Sequence, residues 1–224
     1  VDEAGAGYGN LINVTAYKDL SICVEDFGRG VPLGYNEAEG RYNWELVYCE
    51  LYAGGKYNVG GEDSSYEFSL GLNGLGAAST QYASEFMQVR SYRDGEMYEM
   101  NFKKGCPVGE LTATPLTKKD KKTGTTVYWK PDSEVFTDIN VGKEYYTTML
   151  DRQAMVNPGV KFVFRWENED GTFEEHEYYY ENGIADYIAA AAGETSLTAP
   201  VVWNMHDKGR DCDNRAEYRL KAQI

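Results

Sequence analysis

The stretch Ser21–Pro32, which reads SICVEDFGRGVP, decides the fold that this sequence predicts. Its first half alternates apolar and polar residues, as a half-buried β-strand does. Asp26 stands at the end of that strand, and Gly28 and Gly30 follow it and leave bare backbone that a ligand can approach. A carboxylate in this position could accept a hydrogen bond from an exocyclic amine of a ligand. An ordinary Asp-Gly turn explains the same residues, so a second motif is needed to decide between the two.

A glycine-rich loop further along the chain supplies that second motif. Residues 71–76 read GLNGLG and stand immediately before a small-residue helix that is predicted to begin near Ala77. Successive main-chain N–H groups at a helix N-terminus carry partial positive charge, which suits a phosphate group. The spacing is not that of a P-loop, since no Gly-Lys-Ser/Thr follows, nor that of a dinucleotide fingerprint, since no strand leads in. A flexible surface loop is the alternative interpretation.

Strands dominate the chain, with helices between them. Besides the strand at 21–25, alternation and turn residues predict strands at 11–17, 86–102 (a hairpin turning at 93–95), 125–129, 160–166 and 173–180. Helices are predicted around 44–52, from about 77, at 142–156 and at 183–192. Residues 193–200 form a polar linker, and we expect a domain boundary there. Residues 201–205 and 217–222 fit the first hairpin of a second domain, which divides the chain into 1–192, 193–200 and 201–224.

The composition limits the classes of function. A net charge of −14 argues against a DNA-binding surface in this segment, because phosphate contacts need clustered Lys and Arg. No apolar run approaches the roughly 20 residues that a membrane span requires, so no membrane association is expected. The four cysteines form no CxxC pair, which favours reduced thiols in a cytoplasm over a zinc site or a disulfide framework. His176 and His206 are isolated, and neither is assigned to a metal.

Together, the Asp26 box and the glycine-rich loop resemble the nucleotide boxes of the gyrase, chaperone, histidine-kinase and mismatch-repair ATPase superfamily. Three further segments narrow the resemblance to the B-type subunits of bacterial gyrase and topoisomerase IV. Residues 1–7 (VDEAGAG) are similar to their DEALAG segment, residues 52–57 (YAGGKY) to their HAGGKF lid segment, and residues 123–127 (TGTTV) to their TGT strand. The motifs keep the family's order as far as about residue 182, and residues 200–224 resemble the start of the family's transducer domain.

The resemblance implies a fold and a set of site residues. The fold is an α+β two-layer sandwich of the Bergerat type, with helices on one face of a mixed β-sheet and ATP between the helices and a lid. The expected ATP-binding residues are Asp2, Glu3, Asp26, Gly28, Arg29, Gly30, Pro32, Lys56, Gly71, Leu72, Asn73, Gly74, Leu75, Gly76 and Thr125. Asp26 would bind the adenine amino group with help from the Thr125 hydroxyl, and residues 71–76 would wrap the phosphates with Lys56 nearby. Glu3 and Arg29 resemble the family's ion pair beneath the base.

The sequence also departs from the family's pattern. The family's general-base Glu and its magnesium-binding Asn stand upstream of Asp2, so no residue here is assigned as catalytic base or metal ligand. These 224 residues alone are therefore expected not to hydrolyse ATP. Phe27 stands where an acidic or amide residue is common, and Asn73 where these proteins usually have His, which suggests a divergent branch. Arg93 matches an arginine at the rim of the family's pocket, although a plain hairpin arginine explains it equally well.

The implied function is the ATP-binding part of a cytoplasmic type II DNA topoisomerase, with ATP and Mg²⁺ as cofactors. In the family, ATP dimerises two B-type subunits and closes a gate around DNA, while a partner A-type subunit cuts the strands. Two alternatives stay open: a mismatch-repair-like ATPase or histidine kinase of the same superfamily, which the AGGK and TGT segments disfavour, and a nucleotide-gated binding module without hydrolysis. Nothing in the sequence separates gyrase from topoisomerase IV.

Overall fold

The structure is a computed structural model that describes residues 1–52, 74–117, 122–193, 201, 204–210 and 217–223. The helices in these ranges are α1 (Asp2–Gly5), α2 (Asn43–Tyr48), α3 (Gly76–Tyr82), α4 (Lys143–Val156) and α5 (Ile184–Ala192). The strands are β1 (Leu11–Ala16), β2 (Ile22–Asp26), β3 (Tyr35–Asn36), β4 (Arg41–Tyr42), β5 (Ser84–Arg93), β6 (Glu96–Lys103), β7 (Cys106–Pro115), β8 (Gly124–Pro131), β9 (Lys161–Glu167), β10 (Phe173–Tyr178), β11 (Asn204–Arg210) and β12 (Glu217–Gln223).

Eight of these strands form one mixed sheet in the order β10-β9-β1-β2-β8-β5-β6-β7. β1 and β9 pair in parallel, and the other neighbours pair antiparallel. β3 with β4 and β11 with β12 form two separate antiparallel hairpins. The parallel pair requires a crossover, and α4 lies between β8 and β9 in the chain and supplies it.

One face of the sheet is apolar. Side chains alternate between the two faces of a strand, so cross-strand partners share a face. The register aligns one row of apolar residues across six strands: Phe164, Val14, Val24, Val127, Val89 and Met100. The opposite face is mostly polar and carries cross-strand ion pairs such as Arg90 with Glu99 and Arg165 with Glu175. The sheet therefore needs a cover on one face only.

The helices provide that cover. Tyr146, Leu150 and Ala154 of α4 are buried against β1 and β9, and the Tyr146 ring stacks on Phe164 with centroids 5.5 Å apart. Tyr48 of α2 joins a second buried cluster over β5 and β6. Full burial of a side chain such as Leu150 contributes about 1.5 to 3 kcal/mol. The predicted α+β two-layer sandwich with a mixed sheet is thus confirmed.

The elements depart from the predicted ones in several places, among them the short β3–β4 hairpin, which was not predicted. β7 was not predicted, because its residues are almost all exposed at the sheet edge and show no alternation. α2 ends at Tyr48 instead of reaching residue 52, since the chain turns there and Tyr52 adopts a φ of +65°. The strand predicted at 201–205 begins instead at Asn204. None of the helices in the described ranges is long and apolar enough to cross a membrane.

Candidate functional site

Asp26 shapes the turn at which β2 ends. The main-chain N–H of Gly28 donates a hydrogen bond of 2.8 Å to Oδ1 of Asp26. Because Asp26 pairs with Ile12 in the β1–β2 ladder, its side chain lies on the helix-covered face of the sheet. A Cβ atom added to Gly28 would come within 2.9 Å of the Glu3 side chain on α1. Only glycine therefore allows α1 to approach this turn so closely.

Two more glycines hold the turn against the neighbouring strands. Gly30 has a φ of +82°, and a Cβ there would lie 2.6 Å from the carbonyl oxygen of Tyr92. Gly124 has a φ of +134°, and a Cβ there would lie 2.1 Å from the carbonyl oxygen of Asp26. At both positions the backbone is left-handed, and any side chain would clash with a main-chain oxygen atom. The start of β8 is therefore packed directly on the end of β2.

Glu3 and Arg29 form an ion pair beside the turn. The Arg29 Nε and Nη2 atoms donate to the two carboxylate oxygens of Glu3 at 3.0 and 2.8 Å. The main-chain N–H of Arg29 donates to the same carboxylate at 3.2 Å. The guanidinium also lies over the ring of Tyr8, 3.9 Å from its centroid. A bidentate pair fixes the guanidinium plane as well as its position, so Arg29 is oriented from two sides.

These residues surround a cavity of about 290 Å³. It is lined by Val1, Asp2, Glu3, Ala4, Tyr8, Ile12, Asp26, Phe27 and Gly28. Carboxylates and apolar side chains make up most of this wall, so the cavity suits a flat apolar group that presents N–H donors. An anionic group would be repelled by the carboxylates of Asp2 and Asp26.

Thr125 and Arg93 brace the turn from the next strands. Thr125 Oγ1 accepts a hydrogen bond of 3.1 Å from the N–H of Val31, and Ser91 Oγ donates one of 2.6 Å to the Val31 carbonyl. Arg93 Nη1 donates to the carbonyl oxygen of Gly30 at 3.0 Å. The Thr125 hydroxyl keeps its own proton for donation to another group. Arg93 is thus more than a hairpin residue, because it binds the glycine turn after Asp26.

The predicted residues are only partly brought together. Asp2, Glu3, Asp26 and Gly28 share the cavity wall, and Arg29, Gly30 and Thr125 lie directly behind it. Pro32 follows in the same turn and is exposed. Gly74, Leu75 and Gly76 stand at the start of α3, which packs on α2 and β5 and is not among the residues lining the cavity. Lys56, Gly71, Leu72 and Asn73 lie outside the described residues.

Several contributors to the site were not among the predicted ATP-binding residues. Tyr8, Ala4 and Ile12 line the cavity, and Tyr48 is buried in the neighbouring cluster. Burial raises the pKa of Tyr48 above its ordinary value, and the negative charge of Asp26 raises it further. The alternation of β1 already placed Ile12 on a buried face, but its position opposite Asp26 depends on the strand register.

The described part of the chain contains no group of three or more His, Cys, Asp and Glu side chains placed to hold a metal ion. In the cavity wall, Glu3 is engaged by Arg29, and Oδ1 of Asp26 by the turn. The residues described here therefore do not by themselves form a magnesium site.

The chain is similar to two kinds of bacterial protein along most of its length. It is 40% identical over 204 residues to the B subunit of DNA topoisomerase 4 from Enterococcus faecalis, a match that covers 91% of this chain and 29% of that protein. It is 37% identical to the B subunit of DNA gyrase from Staphylococcus aureus, covering 84% of this chain and 28% of that protein. It is 34% identical to the B subunit of DNA gyrase from Synechocystis, a match that covers 93% of this chain and 19% of that protein. The chain thus spans less than a third of the length of these relatives.

A solved structure shares the fold. The crystal structure of the 43K ATPase domain of Thermus thermophilus gyrase B, in complex with an aminocoumarin, superposes with a TM-score of 0.72 and 26% sequence identity. The match covers 92% of this chain and 50% of that chain. No protein-family model matches the chain.

Proposed function

The chain belongs with the ATPase domains of the gyrase and topoisomerase IV B-type subunits, and we propose that it binds ATP at the cavity beside Asp26. One observation carries the proposal: Asp26 presents a carboxylate in a cavity of about 290 Å³ whose wall also includes the apolar side chain of Ile12. A purine needs both features, because its ring buries apolar surface and its amino group needs an acceptor. The glycine turn, packed against α1 and β8, holds Asp26 at this cavity.

Each side chain has a proposed role. Asp26 accepts a hydrogen bond from the adenine amino group, and the Thr125 hydroxyl donates to the base. Gly28 and Gly30 flank the base as parts of the tightly packed turn that follows Asp26, and Pro32 closes the turn. Glu3 holds Arg29 as a platform beneath the base, and Asp2 belongs to the same helix of the site.

The phosphates are proposed to lie along the glycine loop. The loop residues are Gly71, Leu72, Asn73, Gly74, Leu75 and Gly76, with Lys56 as the nearby cation. The charge of the cavity supports this separation of base and phosphates, because the carboxylates of Asp2 and Asp26 would repel phosphate. Mg²⁺ is proposed to accompany ATP at this site.

The wider function is proposed from the relatives. The complete protein would be a cytoplasmic type II topoisomerase component that dimerises on binding ATP, acts with an A-type subunit and gates the passage of DNA. The chain divides, in this proposal, into an ATP-binding domain at 1–192, a linker at 193–200 and the start of a transducer domain at 201–224. The β11–β12 hairpin, which is separate from the main sheet, agrees with this division.

Isothermal calorimetry on the full-length protein tests the proposal. A non-hydrolysable ATP analogue is titrated with Mg²⁺, and the matching GTP analogue is the control. The ATP analogue should bind at least tenfold more tightly, because GTP presents a carbonyl oxygen where ATP presents an amino group and would leave Asp26 facing an acceptor. Equal affinity for the two analogues, or no binding of either, would contradict an adenine site.

A further inference from the structure

The aromatic ring of Tyr8 both lines the cavity wall and contacts the Glu3–Arg29 pair. We infer that Tyr8 is a positioning residue of this site, whose ring holds the Arg29 guanidinium in the plane that receives the base. The inference rests on the proposed function, since it names a further residue of the same nucleotide site. It assigns a role to a residue outside the Asp26 and glycine-loop motifs.

The contacts of Arg29 show what the ring adds. Glu3 binds one edge of the guanidinium through both carboxylate oxygens, at 2.8 and 3.0 Å. The Tyr8 ring covers a face, with the guanidinium carbon 3.9 Å from the ring centroid. Edge contacts fix the guanidinium within its plane, whereas a ring on its face opposes tilting out of that plane. Glu3 and Tyr8 therefore restrict different motions.

The backbone keeps Tyr8 over Arg29. The N–H of Tyr8 donates a hydrogen bond of 2.9 Å to the carbonyl oxygen of Glu3, so the ring follows directly from α1. The next residue, Gly9, has a φ of +77°, and a Cβ there would lie 2.6 Å from the carbonyl oxygen of Phe27. The chain on either side of the ring is thus attached to α1 and to the turn after β2. The main chain therefore holds Tyr8 next to the Glu3–Arg29 pair.

Loss of the ring should weaken binding moderately. The Arg29 side chain is 36% exposed and Tyr8 39%, so the ring contact lies at the edge of solvent. Cation–π contacts at such sites correspond to about a two- to fivefold change in affinity. The ring carries this effect and the hydroxyl does not, so Tyr8→Phe should rescue the affinity that Tyr8→Leu loses.

The experiment is a double-mutant cycle in the full-length protein. The affinity for a non-hydrolysable ATP analogue with Mg²⁺ is measured for wild type, Tyr8→Leu, Arg29→Gln and the double variant. Tyr8→Leu should raise Kd about two- to fivefold in the wild-type background and by much less in the Arg29→Gln background, because the ring acts through Arg29. Tyr35→Leu is the matched control, since Tyr35 is an exposed tyrosine, 57% accessible, on the β3–β4 hairpin.

A spectroscopic measurement separates positioning from general packing. In the free protein, the Arg29 Nε–H proton should carry a ring-current shift that Tyr8→Phe retains and Tyr8→Leu removes. If wild type binds the analogue and Tyr8→Leu binds it equally well, the inference is wrong while the proposed function stands. If Tyr8→Leu lowers the affinity for the analogue equally in the wild-type and Arg29→Gln backgrounds, Tyr8 does not act through Arg29 and the inference is also wrong. If wild type binds no analogue, the proposed function itself fails.

Discussion

The carboxylate of Asp26 and the main-chain N–H of Gly28 are joined by a hydrogen bond of 2.8 Å. Asp26, which is proposed to recognise the base, therefore also stabilises the turn beside the cavity. An ionised carboxylate accepts about four hydrogen bonds, so the bond to Gly28 leaves capacity for a ligand. Binding and local architecture are coupled through one side chain, and experiments on Asp26 need a control for the turn.

Replacing Asp26 by alanine should weaken the binding of ATP by about 2 to 3 kcal/mol, the range for a lost hydrogen bond to a charged group. Calorimetry on the full-length protein measures the effect. Asp26→Asn is the matched control, because its side-chain oxygen can still accept the Gly28 N–H while its NH₂ group offers the adenine amino group no acceptor. Binding by Asp26→Asn as tight as that of wild type would assign the loss in Asp26→Ala to turn geometry instead of adenine recognition.

Gly124→Ala should destabilise the fold by more than about 2 kcal/mol, since strain at a left-handed backbone adds to a steric clash. An alanine Cβ would lie 2.1 Å from the carbonyl oxygen of Asp26. Gly171→Ala is the control, because Gly171 has a φ of +80° but none of the described residues lies within 4 Å of its Cβ position. Urea unfolding gives both values. Similar losses at the two glycines would show that β8 is not packed on the end of β2.

The sequence predicted the parts of the fold that depend on local pattern. Alternation located β1 and β2, and the position of Asp26 at a strand end followed from it. The edge strand β7 was missed because its side chains are exposed on both faces. No alternation of apolar and polar residues therefore marks this strand in the sequence. Tyr8 was missed because its role depends on contact with Arg29, 21 positions away in the chain, and only the packing of α1 on the glycine turn creates that contact.

Glu99→Gln should lower stability at neutral pH by about 0.5 to 1 kcal/mol and have little effect in acid. The hydrogen bond from Arg90 holds the pKa of Glu99 below its ordinary value, although partial burial opposes the shift. A lowered pKa in the folded state stabilises the fold above the unfolded-state pKa of roughly 4.3. That stability is lost as pH falls through the folded-state value.

Urea unfolding of wild type and Glu99→Gln from neutral pH into acid checks this dependence. Glu110→Gln on the exposed strand β7 is the control. The difference between wild type and Glu99→Gln should shrink as the pH falls. A difference that grows toward low pH would have the wrong sign and would contradict the proposed stabilisation by Arg90.

Leu150→Ala should cost about 2 to 5 kcal/mol of unfolding free energy, because it leaves a cavity between α4 and the sheet. Leu150 is 2% exposed, whereas Val156 on the same helix is 53% exposed. Val156→Ala should change stability by no more than about 0.5 kcal/mol. Chemical denaturation measures both variants, and comparable losses would be inconsistent with α4 covering the apolar face.

The most direct test of the adenine site compares ATP with purine riboside triphosphate, which lacks only the 6-amino group. Affinities are measured by calorimetry for the wild-type protein and for Asp26→Ala. Wild type should bind ATP about tenfold or more tightly than the analogue, since the analogue leaves the half-buried Asp26 carboxylate without a donor. Asp26→Ala should bind the two ligands within about twofold of each other, because it has no carboxylate to leave unpaired. If wild type does not distinguish the two ligands, or if Asp26→Ala distinguishes them as strongly as wild type does, then Asp26 does not recognise adenine.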